Sequence, residues 1–87
     1  MTKKQVKELK ETASLMESKD YKARFRAEYY QLKIRRDKLH ILLNQYYCNQ
    51  LDFELSVPPQ LLEKQLGVMD NYLDILEIRA WIEKIEL

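Results

Sequence analysis

Two helix-forming tracts of nearly equal length, Tyr21–Cys48 and Pro59–Glu86, fix most of what this chain can become. At 1.5 Å per residue each is roughly 40 Å long, so the two can fold back on each other end to end. In the first, Phe25, Tyr29, Leu32, Arg36, Leu39, Leu43 and Tyr46 alternate four and three apart, an a/d seam with one cation in its middle. The second tract has two seams: Leu62, Leu66, Met69, Leu73, Leu76 and Ala80, and beside it Leu61, Val68, Tyr72, Ile75, Arg79 and Ile82. Together they exceed the ~100° stripe of an ordinary surface helix. One seam packs on the first long helix. The other needs a different cover, and the N-terminal segment supplies one narrow stripe, Val6, Leu9, Ala13 and Met16. Self-association through Val68, Tyr72, Ile75, Arg79 and Ile82 is therefore expected.

Those four N-terminal residues recur at helical spacing and predict a short amphipathic helix over residues 2–17. Ser18-Lys19-Asp20 then breaks it, with Ser18 or Asp20 available to cap the helix that follows. Between the long helices, Leu51, Phe53, Leu55 and Val57 alternate with polar residues. That period of two suits an extended segment across the hairpin end. Pro58-Pro59 forbids helix before it and presets a helix start. The expected fold is all-α: one domain over 1–87, with a short helix 2–17, a long helix 20–48, a linker 49–58 and a long helix 59–87, assembled as a homo-oligomer. Eighty-seven residues lie near the size at which a lone core is marginal and association helps.

Charge divides along the chain. Residues 1–48 hold twelve Lys/Arg against six Asp/Glu, a balance of +6; residues 49–87 hold three against eight, a balance of −5, giving the net +1. Attraction between a basic and an acidic helix accounts for this split, and so does an anion site on the basic helix. Duplex nucleic acid is a poorer match, because its non-specific binders carry a larger overall positive excess. Only one Cys and one His are present, so no disulfide within the chain and no metal cluster is expected. No run approaches the ~18 apolar residues of a membrane span.

Catalysis has no visible constellation. Asp52 and Glu54 share a face, but nothing near them would raise the pKa of one. His40 sits between Leu39 and Ile41, where a partly buried helix residue is expected rather than a base. Gly67, mid-helix, reads as a close helix approach or as room for a ligand. The chain is expected to bind rather than catalyse, with no cofactor and no metal. The pattern that suggests binding is Tyr21, Phe25, Tyr29 and Tyr30 interleaved with Lys22, Arg24, Arg26 and Lys33. Rings stack on bases and cations pair with phosphates. The candidate ligand residues are Tyr21, Arg24, Arg26, Tyr29, Tyr30, Lys33 and Arg36. Two of these have a plain structural reading as well: Tyr29 as core, and Arg36 as the partner of an acidic residue on the last helix. An antiparallel hairpin also places Tyr21 near Trp81–Ile85.

The run from Asp20 to Leu39, and the later run from Leu61 to Arg79 with its Gln-Leu, Met, Tyr, Ile-Leu and Arg, resemble small helical-hairpin proteins of gut bacteriophages and prophages related to those of crAss-like phages. The resemblance covers residues 20–87 and brings no catalytic residues. It implies a phage protein acting in the cytoplasm of an infected bacterial host. By architectural analogy with phage cyclic-nucleotide sponges, it implies counter-defence by sequestering an immune nucleotide second messenger. The alternative is an inhibitor or adaptor that docks on a host or phage protein through the spare apolar face.

Overall fold

The computed structural model describes residues 6–87, and among them only helices, turns and loops occur. A 3-10 turn, Leu9–Thr12, runs into a single α-helical turn, α1 (Ala13–Met16). Two long helices follow, α2 (Tyr21–Tyr47) and α3 (Pro59–Glu83), and α2 packs against each of the other three elements. The caps are those the sequence offers. Asp20 accepts from the Lys22 amide at 3.1 Å to start α2, and Pro59 occupies the first turn of α3. Asn49 and Lys84, just past the two long helices, adopt left-handed backbone at φ 60° and 58°. Behind Lys84 the Ile85 amide bonds back to the Ala80 carbonyl at 2.8 Å, which turns Ile85 into the core.

The core lies toward one end of the hairpin. Phe25, Tyr29 and Tyr30 of α2 meet Leu73, Leu76 and Ala80 of α3 and Ile85, with Val6, Leu32 and Leu87 packed around them. The first α3 seam is thus the one that faces α2. Every member of the second, by contrast, is exposed. Cross-hairpin polar contacts are dominated by phenols donating to carboxylates: Tyr21 to Glu83 at 2.8 Å, Tyr29 to Glu77 at 3.1 Å, Tyr47 to Glu63, and Tyr72 to Glu28. One ion pair joins the long helices among the described residues, Arg36 Nε to Asp70 Oδ1 at 2.6 Å.

Several expectations change. Residues 2–5 of the expected N-terminal helix lie outside the described residues, and the rest is shorter and tighter than a 2–17 helix. Its 3-10 start winds at three residues per turn and shifts the inward face. Ala13 and Met16 are exposed, while Thr12 is buried, donating to the Leu9 carbonyl at 2.7 Å and accepting from Gln31 at 3.0 Å. His40 is exposed, one position off the inward seam. A Cβ on Gly67 would meet nothing within 4 Å, so the glycine marks neither a close approach nor a filled pocket. In the linker only Leu51 and Leu55 are half-buried. Bends at residues 52–53 and 56–57 break the period of two and leave Phe53 and Val57 exposed.

Candidate anion-binding cleft

The seven candidate ligand residues divide among several faces of α2. Arg36 is committed to structure: beside its bond to Asp70 it donates to Asp37 at 3.3 Å, and these carboxylates hold the guanidinium protonated above its ordinary range. Tyr29 is core. Burial, then its bond to Glu77, push its phenol well above the ordinary range. Tyr21 donates to Glu83 and accepts from Arg79 Nη2 at 3.0 Å. Arg24 donates to the Ser18 carbonyl at 2.9 Å, holding the turn before α2, and Lys33 lies 4.0 Å from Asp37. Each of these side chains has a partner within the chain.

Arg26 and Tyr30 differ. They lie one helical turn apart on the side of α2 that faces the N-terminal element, and both line a cleft of about 230 Å³. Its other walls are Val6, Glu11, Ser14, Leu15 and the last residues, Glu86 and Leu87. Arg26 Nη1 is buried with no hydrogen-bond partner among the described residues. A buried guanidinium nitrogen left unsatisfied costs on the order of 1–3 kcal/mol. Tyr30 is buried edge-on to Tyr29, with ring centroids 5.1 Å apart, and burial raises its phenol above the ordinary range. The cleft joins one unsatisfied cationic donor, an aromatic wall and two carboxylates. A phosphate can take the Arg26 donor, while Glu11 and Glu86 can accept from sugar hydroxyls or base amino groups. Its volume holds a phosphate with part of a nucleoside, below the ~300–1,000 Å³ of pockets that enclose a drug-sized ligand.

A second, wider basin of about 940 Å³ opens at the hairpin end, lined by Tyr46, Tyr47, Phe53 and the linker down to Pro59. It has three aromatic rings and no cation. The linker bends that build it are not legible in the alternating pattern of residues 51–57. Trp81, expected beside Tyr21 at the far end, is 82% exposed and lines neither opening. Its exposed neighbour Ile78 was in neither α3 seam read from the sequence.

Of the residues expected at an oligomer interface, Val68, Ile75 and Ile82 are bare. Tyr72 and Arg79 are turned toward α2. Tyr72 bonds Glu28, and Arg79 lies 5.0 Å over the Phe25 ring while contacting Tyr21 and Glu83. Both remain exposed while their side chains reach α2.

Comparison with protein-family profiles matches residues 19–82 to the family described as Sequestin. The chain belongs to the Sequestin family. The match takes in the whole of α2, the linker and nearly all of α3, so Arg26 and Tyr30 are within it. The Sequestin match leaves out the N-terminal element and the final residues that wall the cleft. Comparison with curated proteins and with solved structures returns no match. Among the described residues no helix is long and apolar enough to cross a membrane, and no group of three metal-ligating side chains lies together.

Proposed function

We propose that this chain sequesters a nucleotide second messenger without converting it, as a phage-encoded counter-defence protein, and that Arg26 supplies the contact to phosphate. The observation that carries this reading is the buried Arg26 nitrogen, unpartnered among the described residues, in a cleft it shares with Tyr30. The family's name, which denotes sequestering, supports the same reading. Holding a ligand needs donors, acceptors and an aromatic wall, and the cleft has each. Turnover would need an acid–base pair or an activated nucleophile. The carboxylates in the cleft, Glu11 and Glu86, serve here as acceptors. Of the seven candidates only Arg26 and Tyr30 are retained as ligand contacts, the others being bonded within the chain.

The test is native mass spectrometry of the protein with cyclic dinucleotides, cyclic trinucleotides and cyclic ADP-ribose isomers, followed by calorimetry on any adduct. The expected result is one class of ligand bound at a fixed ratio and recovered at unchanged mass. Arg26→Ala should then lower affinity tenfold or more, the scale of a lost charge-assisted hydrogen bond. Absence of any adduct, or an Arg26→Ala variant that binds like the wild type, overturns the assignment.

A further inference from the structure

The N-terminal element has two working faces. Thr12 and Met16, four residues apart, are held by Gln31 of α2, while Glu11, Ser14 and Leu15 form part of the wall of the Arg26 cleft. Gln31 Nε2 donates to Thr12 Oγ1 at 3.0 Å and to Met16 Sδ at 2.8 Å. Thr12 is 1% exposed, and its hydroxyl gives its own hydrogen to the Leu9 carbonyl at 2.7 Å, so its oxygen is free to accept from Gln31. Among the described residues the element packs on α2 and not on α3. The chain on either side of it is tied elsewhere: Val6 lies against the core, and Arg24 holds the Ser18 carbonyl at 2.9 Å. Between those two ties, Gln31 is the one described side chain outside the element that hydrogen-bonds to it. A 3-10 turn followed by one α-helical turn has little stability of its own. Where its middle sits therefore depends on what holds it.

We propose that Gln31 is the positioning residue of the cleft, setting through Thr12 and Met16 where Glu11 and Ser14 meet a ligand, a role that rests on the sequestering reading above. Gln31 does not itself line the cleft, so removing its amide takes no contact directly from a ligand. The walls of the cleft differ in how they are held. Arg26 and Tyr30 stand on a helix of 27 residues whose place is fixed by its packing on α3. Glu11 and Ser14 stand on a short element held at its middle by one amide. Their carboxylate and hydroxyl can bond the hydroxyl and amino groups of a nucleotide, and such bonds weaken steeply as distance and angle leave the favoured range. Releasing the Gln31 amide lets this wall shift, so the polar contacts of Glu11 and Ser14 are lost while the Arg26 donor stays in place. The same release uncovers the Arg26 nitrogen that is now buried.

Two variants of the full chain isolate the latch: Gln31→Ala removes the donor, and Thr12→Val removes the acceptor while keeping the shape. Calorimetry with cyclic dinucleotides, cyclic trinucleotides and cyclic ADP-ribose isomers reads them. For the nucleotide that the wild type holds, each variant should bind about fivefold more weakly, the scale of one neutral hydrogen bond. The double variant should bind no more weakly than the worse of the two. Glu11→Ala should lose most of its effect once residue 31 is Ala, whereas Arg26→Ala should keep its full effect there. A side chain that only stabilised the fold would add to both alike. A second measurement needs no nucleotide. Phenylglyoxal, which labels accessible guanidinium groups, should modify Arg26 about fivefold faster in Gln31→Ala than in the wild type, with exposed Arg35 as the unchanged reference. Unchanged affinity in Gln31→Ala, a Glu11→Ala effect that persists there in full, or an Arg26 labelling rate that does not move would each overturn the assignment. A wild type that binds none of these nucleotides overturns the sequestering reading and with it the ligand role of Gln31, while the labelling rate still decides whether the latch holds the wall.

Discussion

The two sides of α3 are made of the same material and end in opposite states. Leu73, Leu76 and Ala80 are buried against α2, while Val68, Ile75 and Ile78, from the same turns, lie bare. Hydrophobic spacing sets how much cover a helix needs, and both sides ask for it. What assigns α2 to one side is the polar margin: Tyr29, Tyr47 and Arg36 meet Glu77, Glu63 and Asp70 along one edge, and Glu28 and Tyr21 meet Tyr72 and Glu83 along the other. Rotating α3 by half a turn would bury comparable apolar area and strand all of those groups. The inner side is chosen by its margins more than by its grease.

The largest expected effect separates the two sides directly. Leu76, with no exposed surface, should lose about 2–5 kcal/mol of stability when changed to Ala. Ile75→Ala, one residue away, should stay within about 0.5 kcal/mol in dilute samples followed by denaturant titration. Equal losses would erase the distinction between the sides.

Next comes the margin itself. Tyr29→Phe removes the bond to Glu77 and should cost about 1 kcal/mol, read as a lower denaturant midpoint. The same residue sets a pH dependence. Tyr29 and Tyr30 have folded-state phenol pKa values above the unfolded value of about 10. The folded chain therefore holds more protons than the unfolded chain once pH exceeds about 10. Their contribution is complete below that value and falls as pH climbs toward the folded-state values. Melting temperature should drop steeply above pH 10, and less steeply in Tyr29→Phe. A flat alkaline profile would show that neither phenol is held neutral by the fold.

The smallest effect has the opposite sign. Gly67 sits mid-helix with helical backbone and open space where a Cβ would go, so Gly67→Ala should stabilise the chain by up to about 1 kcal/mol. A loss of stability there would mean that the outer side needs the bare backbone.

Periodicity made the hairpin legible: the α2 seam, the Asp20 cap, the Pro59 start and the nearness of Tyr21 to Glu83 all follow from residue type and spacing. The N-terminal face was not, because a 3-10 turn changes the angle per residue without changing the composition, so Thr12 rather than Ala13 turned inward. The candidate site was legible as a set of residue types only. Tyrosine beside arginine reads alike whether the ring stacks on a ligand or its hydroxyl bonds a carboxylate 48 or 62 residues away. Charge halves drew attention to cation–anion pairing, and the chain mostly uses phenols in its place. What distinguishes Arg26 is one buried nitrogen with no hydrogen-bond partner among the described residues, which only a three-dimensional arrangement can reveal.

Joining α2 to α3 mainly by phenols has a consequence for ionic strength. Ion pairs on a surface weaken as salt screens them over ~8–10 Å, whereas a neutral hydroxyl donating at contact distance has little long-range field to lose. Among the described residues Arg36 with Asp70 is the one ion pair across the hairpin, and four of its clasps are of the second kind. Added salt should then leave the hairpin shut while it dims the pull of the α2 cations on a passing anion, so the shape of the chain and its reach toward anions answer to different conditions.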